Sequence, residues 1–368
     1  MNPNLYPLLT KYGWNEYWQE VSSPSLSKSI RVSPARVIAQ FSHSYSVMTE
    51  EGPHTASVAG KFEFLASKRS DYPAVGDWVW TEALPNEARS VIHAVLPRRT
   101  AMIRKAAGSA VEEQVVGANL DYLFIVNALN QDFNLRKIER YLILGWESGA
   151  QPVVLLTKSD LCPQPEAFAE QVRELSPGVP VHVVSALTEQ GKESLNPYLG
   201  QGITIGITGS SGVGKSTLLN WLAGEPLQHT QDIREDDARG RHTTTHRELF
   251  LLGNGALVMD TPGMRELQLW EAHDGWQQAF ADIERLAAEC RFRDCRHEHE
   301  AGCAVHAALA EGSIDPKRLA NYRKTAKELA YQARKERSAA GKRDKNKRPK
   351  SPGKADWRPD RSWDHAQD

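Results

Sequence analysis

The chain has little cysteine, almost no net charge and no long apolar run. Four cysteines in 368 residues, three of them between positions 290 and 303, are too few and too clustered for a disulfide framework. They point instead to metal ligation in a reducing compartment. No segment approaches the apolar length of a membrane span, and residues 1–5 lack a basic stretch leading into an apolar one, so a cytoplasmic protein without a membrane partner is expected. The net charge of −1 hides an asymmetry: Lys335, Arg337, Lys342, Arg343, Lys345, Lys347, Arg348, Lys350 and Lys354 face only Glu336 and Asp344. Such a run repels itself and suits a polyanion. With 40% hydrophobic and 25% charged residues, the composition is globular and the length suits two or three domains.

Residues 1–30 read as an N-terminal extension in which Trp14, Tyr17, Trp18 and Val21 recur at helical spacing before Ser22-Ser23-Pro24-Ser25. Across 31–107 the pattern becomes short apolar runs broken by turn residues: Val37-Ile38-Ala39, Tyr45-Ser46-Val47, Ser57-Val58-Ala59, Trp78-Val79-Trp80 and residues 91–95. This spacing predicts a small β-barrel. Lys61, Lys68, Arg69, Arg98, Arg99, Arg104 and Lys105 lie among Phe62, Phe64 and Tyr72, the mixture of an OB-type face that stacks bases and follows phosphates; an ordinary core with a solvated basic rim is the competing reading. Residues 108–270 switch to α/β, with continuous apolar runs at 122–126 and 153–156 of the kind buried in a parallel, doubly wound sheet and further strands at 181–184, 203–207 and 256–259. Residues 271–337 read as helical around a cysteine cluster, with one helix over 278–289 and another over 316–337, and 338–368 as a basic, disordered tail.

Nucleotide-binding motifs follow the ends of these strands. Gly209-Ser210-Ser211-Gly212-Val213-Gly214-Lys215-Ser216 matches GxxxxGK[ST] between a strand and the helical stretch that begins at Thr217, so its backbone N–H groups should cradle phosphates. Lys215 should bridge the β- and γ-phosphates, Ser216 should ligate Mg²⁺, and Thr217 completes the phosphate-binding run. Asp260 in Asp260-Thr261-Pro262-Gly263 should hold Mg²⁺ through water while the Gly263 N–H meets the γ-phosphate. The base is decided by Thr157-Lys158-Ser159-Asp160: the Asp160 carboxylate can accept from guanine N1–H and N2–H₂, a donor pair adenine lacks. Lys158 should lie along the purine and the Ser185-Ala186 backbone should reach O6, whereas Thr157 replaces the usual Asn. The base-reading half therefore precedes the phosphate-binding half, the order of a circularly permuted GTPase.

Hydrolysis needs a group to orient water, and the residue after DxxG, often Gln, is here Met264, which cannot do so. Intrinsic turnover should be slow. The loop Gly240-Arg241-His242-Thr243-Thr244-Thr245-His246 is the expected first switch, with Thr244 closing on Mg²⁺ and His242 the candidate for orienting water; a solvated histidine, or one that contacts a partner's phosphate, is an equal alternative. Cys290, Cys295, His297 and Cys303 give a Cys₃His set suited to structural, tetrahedral Zn²⁺, with His299 and His306 as alternatives to His297.

These motifs, together with Pro73-Ala74-Val75-Gly76-Asp77-Trp78-Val79, Leu96-Pro97-Arg98-Arg99, Asp132-Phe133-Asn134-Leu135 and Cys290-Arg291-Phe292-Arg293-Asp294-Cys295-Arg296-His297, resemble the circularly permuted, ribosome small-subunit-dependent GTPases of the RsgA/YjeQ type from about residue 31 to 322. The resemblance implies an N-terminal OB domain, a permuted P-loop GTPase domain and a zinc domain with ligands Cys290, Cys295, His297 and Cys303. It also implies GTP hydrolysis stimulated by the small subunit and its rRNA, late in that subunit's maturation, by a monomer. The alternative is a GTP-dependent RNA-binding scaffold whose turnover is incidental.

Overall fold

The computed structural model describes residues 5–21, 31–42, 44–105, 113–227, 247–260, 273–298 and 300–347. Two short helices, α1 (Pro7–Lys11) and α2 (Glu16–Val21), precede the barrel strands β1 (Ser33–Gln40), β2 (Tyr45–Thr49) and β3 (Gly52–Val58). Helix α3 (Gly60–Leu65) then leads to β4 (Trp78–Ala83) and β5 (Arg89–Val95). The order β1-β2-β3-β5-β4 closes through β1 and β4, and only β3 and β5 among these neighbours run parallel. Ala35, Val37, Val47, Ala56, Val79 and Ile92 point inward and fill it. This is the expected OB-type barrel, built on period-two alternation.

The basic and aromatic residues assigned to its face are placed differently. Phe62 and Phe64 sit on α3, not on a strand, with Phe62 edge-on to Tyr72 and Phe64 88% exposed. Arg98 is no rim cation: its guanidinium bonds both oxygens of the fully buried Asp77, at 2.8 and 2.7 Å, because a buried carboxylate requires a charged donor.

A hairpin of β6 (Ala101–Lys105) and β7 (Glu113–Ala118) spans the expected boundary at 107 and 108. Then follow β8 (Tyr122–Ala128), α4 (Leu135–Glu147), β9 (Gln151–Thr157), α5 (Pro165–Leu175), β10 (Val181–Val183), β11 (Thr204–Gly209), α6 (Lys215–Ala223), β12 (Arg247–Leu251) and β13 (Leu257–Asp260). The sheet order is β10-β9-β8-β11-β13-β12, all parallel except the last pair. Residues of alternate parity face opposite sides: Phe124, Val126, Ile205 and Ile207 pack under α6, while Leu123, Ile125, Leu257 and Met259 pack with α4 and α5. The second core continues into Trp78 of the barrel and Trp14 and Trp18 of the N-terminal segment. Strand β12 also pairs with β1, Ala39 opposite Glu248 and Gln40 opposite Arg247, so barrel and α/β sheet form one eleven-stranded sheet.

The C-terminal part holds α7 (His273–Ala279), α8 (Ala281–Ala287), α9 (Ala304–Ala310) and α10 (Pro316–Lys347). The single helix expected over 278–289 is divided at Phe280, and α10 runs beyond residue 337, so the expected tail begins as helix. Buried Glu139 of α4 accepts from Arg136, Arg318 and Asn321, and Arg318 also grips Asp282, fastening α10 to the α/β layer.

Candidate nucleotide and metal sites

The sequence-predicted residues gather at the carboxyl edge of the parallel sheet, where such sheets bind ligands. Gly209 ends β11 where an added Cβ would lie 2.3 Å from the Val126 carbonyl, so only glycine lets the loop leave the strand there. Gly214, at φ +94°, caps α6 and turns the chain into the helix whose first residues are Lys215, Ser216 and Thr217. The Lys215 ammonium donates to the Gly209 and Ser210 carbonyls at 3.0 and 2.7 Å, inside the loop. Val213 is buried and anchors the loop to the core, while Ser211 and Gly212 face outward. Asp260, 8% exposed, ends β13 beside Ile207 of β11, one strand away from the phosphate loop.

The base-reading half meets this loop directly. Thr157, at the end of β9, donates its hydroxyl to the Val213 carbonyl at 2.7 Å, and the Lys158 ammonium reaches the Gly212 carbonyl at 2.9 Å. Threonine at the position usually held by Asn thus still braces the loop. Asp160 receives the Ser185 hydroxyl at 2.5 Å, and the Ser159 N–H is held by the Val184 carbonyl. Leu161 and Leu187, beside Asp160 and Ala186, stay exposed at 61% and 83%, apolar surface that a flat purine can cover. Gly263, Thr244 and His242, and with them Met264, lie outside the described residues.

One site residue escapes sequence reading. Tyr141 of α4 is 3% exposed, and burial raises its phenol above the ordinary value, an effect that the neighbouring Ser210 side chain partly offsets. The stretch 135–146 predicts a buried helix face, but a buried tyrosine hydroxyl needs a partner, and that requirement alone hints at the contact.

Residues 95–270 match the family model for the RsgA GTPase. The chain is 45% identical to the small ribosomal subunit biogenesis GTPase RsgA of Opitutus terrae, across 89% of this chain and 91% of that one. It is 42% identical to RsgA 2 of Vibrio vulnificus across 88% and 89%. The chain belongs to the RsgA family. Solved structures agree: YjeQ from Thermotoga maritima superposes with a TM-score of 0.61 at 28% identity, over 82% of this chain and 99% of that one. YloQ, described as a circularly permuted GTPase, gives 0.58 at 25% identity, over 84% and 99%.

This RsgA relative carries a second cluster at the turn between α8 and α9. The ligand atoms of Cys290, Cys295, His297 and Cys303 lie within 4.8 Å of one another, and His297 Nδ1 is 3.5 Å from the sulfurs of both Cys290 and Cys303. Four donors at such spacings could hold a metal ion, and three soft thiols with one imidazole suit a tetrahedral ion without an open position. His306 is engaged elsewhere, its backbone N–H on the Cys303 sulfur and its Nε2 beside Arg323; His299 lies outside the described residues.

Proposed function

We propose that the chain hydrolyses GTP to GDP and phosphate while acting in late maturation of the small ribosomal subunit, with hydrolysis stimulated by that subunit. The observation that carries this reading is the direct joining of the two motif halves, Thr157 to Val213 and Lys158 to Gly212, in a member of the RsgA family. In this reading Asp160 reads the guanine edge, Ser185 and Ala186 approach O6, and Gly209 through Thr217 wrap the phosphates with Lys215 as their cation. Mg²⁺ is the metal at the nucleotide, held by Ser216, Thr244 and Asp260, with the Gly263 N–H on the γ-phosphate; His242 orients water in place of Met264. Zn²⁺ is the ion of Cys290, Cys295, His297 and Cys303, a structural clamp. The barrel, α10 and the basic tail supply the rRNA contacts of a cytoplasmic monomer.

A second reading rests on Met264, which gives no hydrogen bond to water: an RNA-binding scaffold that uses GTP as a locking ligand. Steady-state turnover of GTP, ATP and XTP by the wild type, Asp160→Asn and Lys215→Ala tests the enzymatic reading. GTP should be preferred over ATP, Asp160→Asn should shift preference to XTP, and Lys215→Ala should lose turnover about 10²-fold or more. Equal use of ATP and GTP by the wild type would overturn it.

A further inference from the structure

The loop after β10 is held by a contact that none of the motifs contains. Ser185 and Gln190 form an isolated antiparallel bridge, N–H to carbonyl at 3.0 and 3.1 Å, and the residues between them turn outward. Glu189, on the returning arm, adopts the left-handed region at φ +59°. Its carboxylate accepts the Trp221 indole N–H at 2.6 Å, and the Lys192 ammonium lies 3.8 Å from the same oxygen and 5.3 Å from the centre of the Trp221 ring. Trp221 is 7% exposed on α6, the helix that begins with Lys215 and Ser216. Within the loop Ala186 packs on the core beneath α6, whereas Leu187 is 83% exposed. The Trp221 hydrogen bond therefore ties the loop that carries Ser185, and through Ser185 the Asp160 carboxylate, to the phosphate-binding helix.

We infer that Trp221 and Glu189 are positioning residues for guanine recognition, fixing the Ser185-Ala186 segment relative to the phosphate loop so that base and phosphates are read at one spacing. The inference rests on the assignment of Asp160 and Ser185-Ala186 to the base. Loss of the tether leaves the phosphate contacts intact and lets the base loop drift, so the penalty is paid by both nucleotides alike. A hydrogen bond to a carboxylate whose side chain is 67% exposed supports an effect of about three- to tenfold.

The test uses the full chain with Trp221→Phe, Glu189→Ala, which removes the acceptor of the indole N–H, and the double variant. Phenylalanine keeps an aromatic ring in the core, and Glu189 lies on the surface, so the second variant does not disturb packing. Each single variant should weaken GTP and GDP by the same factor of about three to ten, with the loss in KM rather than kcat, and the double variant should be no worse than either single one. A melting temperature matching the wild type for Glu189→Ala separates positioning from loss of structure. Unchanged GDP affinity in both single variants, or additive losses in the double variant, would overturn the tether. Asp160→Asn is the internal control: if it does not shift preference from guanine to xanthine, the base assignment itself fails; if it does while the tether variants bind normally, only the tether fails.

Discussion

Asp77 is fully buried and its two oxygens are occupied by Arg98 and the Ala74 N–H, so the pair stands or falls together. Arg98→Ala leaves the buried carboxylate without its counter-charge and should lower unfolding free energy by about 3–5 kcal/mol, measured by urea denaturation; a loss under about 1 kcal/mol would contradict this. His182 offers a pH test. Burial and the nearby Arg173 lower its pKa, so the folded state binds fewer protons than the unfolded chain. Its stabilising contribution is complete above the ordinary histidine value and is lost as pH falls through the lowered folded one. His182→Gln should therefore melt with a shallower acid-side decline than the wild type between about pH 7 and about pH 5; parallel declines would contradict the assignment. Single residues differ in how far sequence discloses them. Lys215 and Gly209 were legible because phosphate binding dictates backbone shape and charge at fixed spacing. Tyr141 and Trp221 were not, because the residues near an aromatic tip, Ser210 and Glu189, lie far away in sequence and meet it only through packing.

Elements were legible where one layer decides them. Strands β8 and β9 are buried on both faces and carry continuous apolar runs. Strand β12 was missed: in Arg247–Leu251 only Leu249 is buried, and its pairing with β1 depends on a residue separation no local pattern reveals. Helices α7, α8 and α9 are seven residues each, shorter than isolated helices that hold in water, so they depend on the core of Phe280, Ile283, Val305 and Tyr322 and on the cysteine cluster beside it. Cys303 also caps α9 through the His306 N–H. Removing a bound metal with a chelator, or Cys303→Ser, should speed hydrogen exchange in α8 and α9 while leaving guanine-nucleotide affinity within about twofold. Retained protection after complete metal removal would mean that the hydrophobic core alone holds these helices.

At the scale of the molecule, three parts share one core. Leu9, Trp14 and Trp18 pack with Trp78 of the barrel and with Leu123 and Met259 of the α/β sheet. Fully buried Arg36 crosses the seam, donating to the Tyr12 carbonyl, the Gly76 carbonyl and the Thr204 hydroxyl, and burial pulls its pKa down to about 10. The N-terminal segment, whose role the sequence left open, covers this seam. Deleting residues 1–21 should lower the melting temperature of the whole chain in a single transition; an unchanged barrel and sheet would show that the seam holds without it. Continuity also bears on switching. The expected first switch loop leads into β12, which is bonded to the barrel through β1, and the Asp260-Thr261-Pro262-Gly263 motif that begins at the end of β13 precedes the helices of the metal cluster in sequence. A γ-phosphate that orders both loops would thus act on both outlying parts. Subunit affinity should be higher with a nonhydrolysable GTP analogue than with GDP, measured by co-sedimentation, and equal affinities would contradict that coupling.

The most direct measurement is steady-state GTP hydrolysis by the full chain with and without isolated small ribosomal subunits, alongside Lys215→Ala and His242→Ala. Slow intrinsic turnover, strong stimulation by subunits, loss of that stimulation in Lys215→Ala, and retained GTP binding with lost turnover in His242→Ala are the predicted results. Turnover unaffected by subunits would contradict a subunit-activated GTPase and favour the scaffold reading.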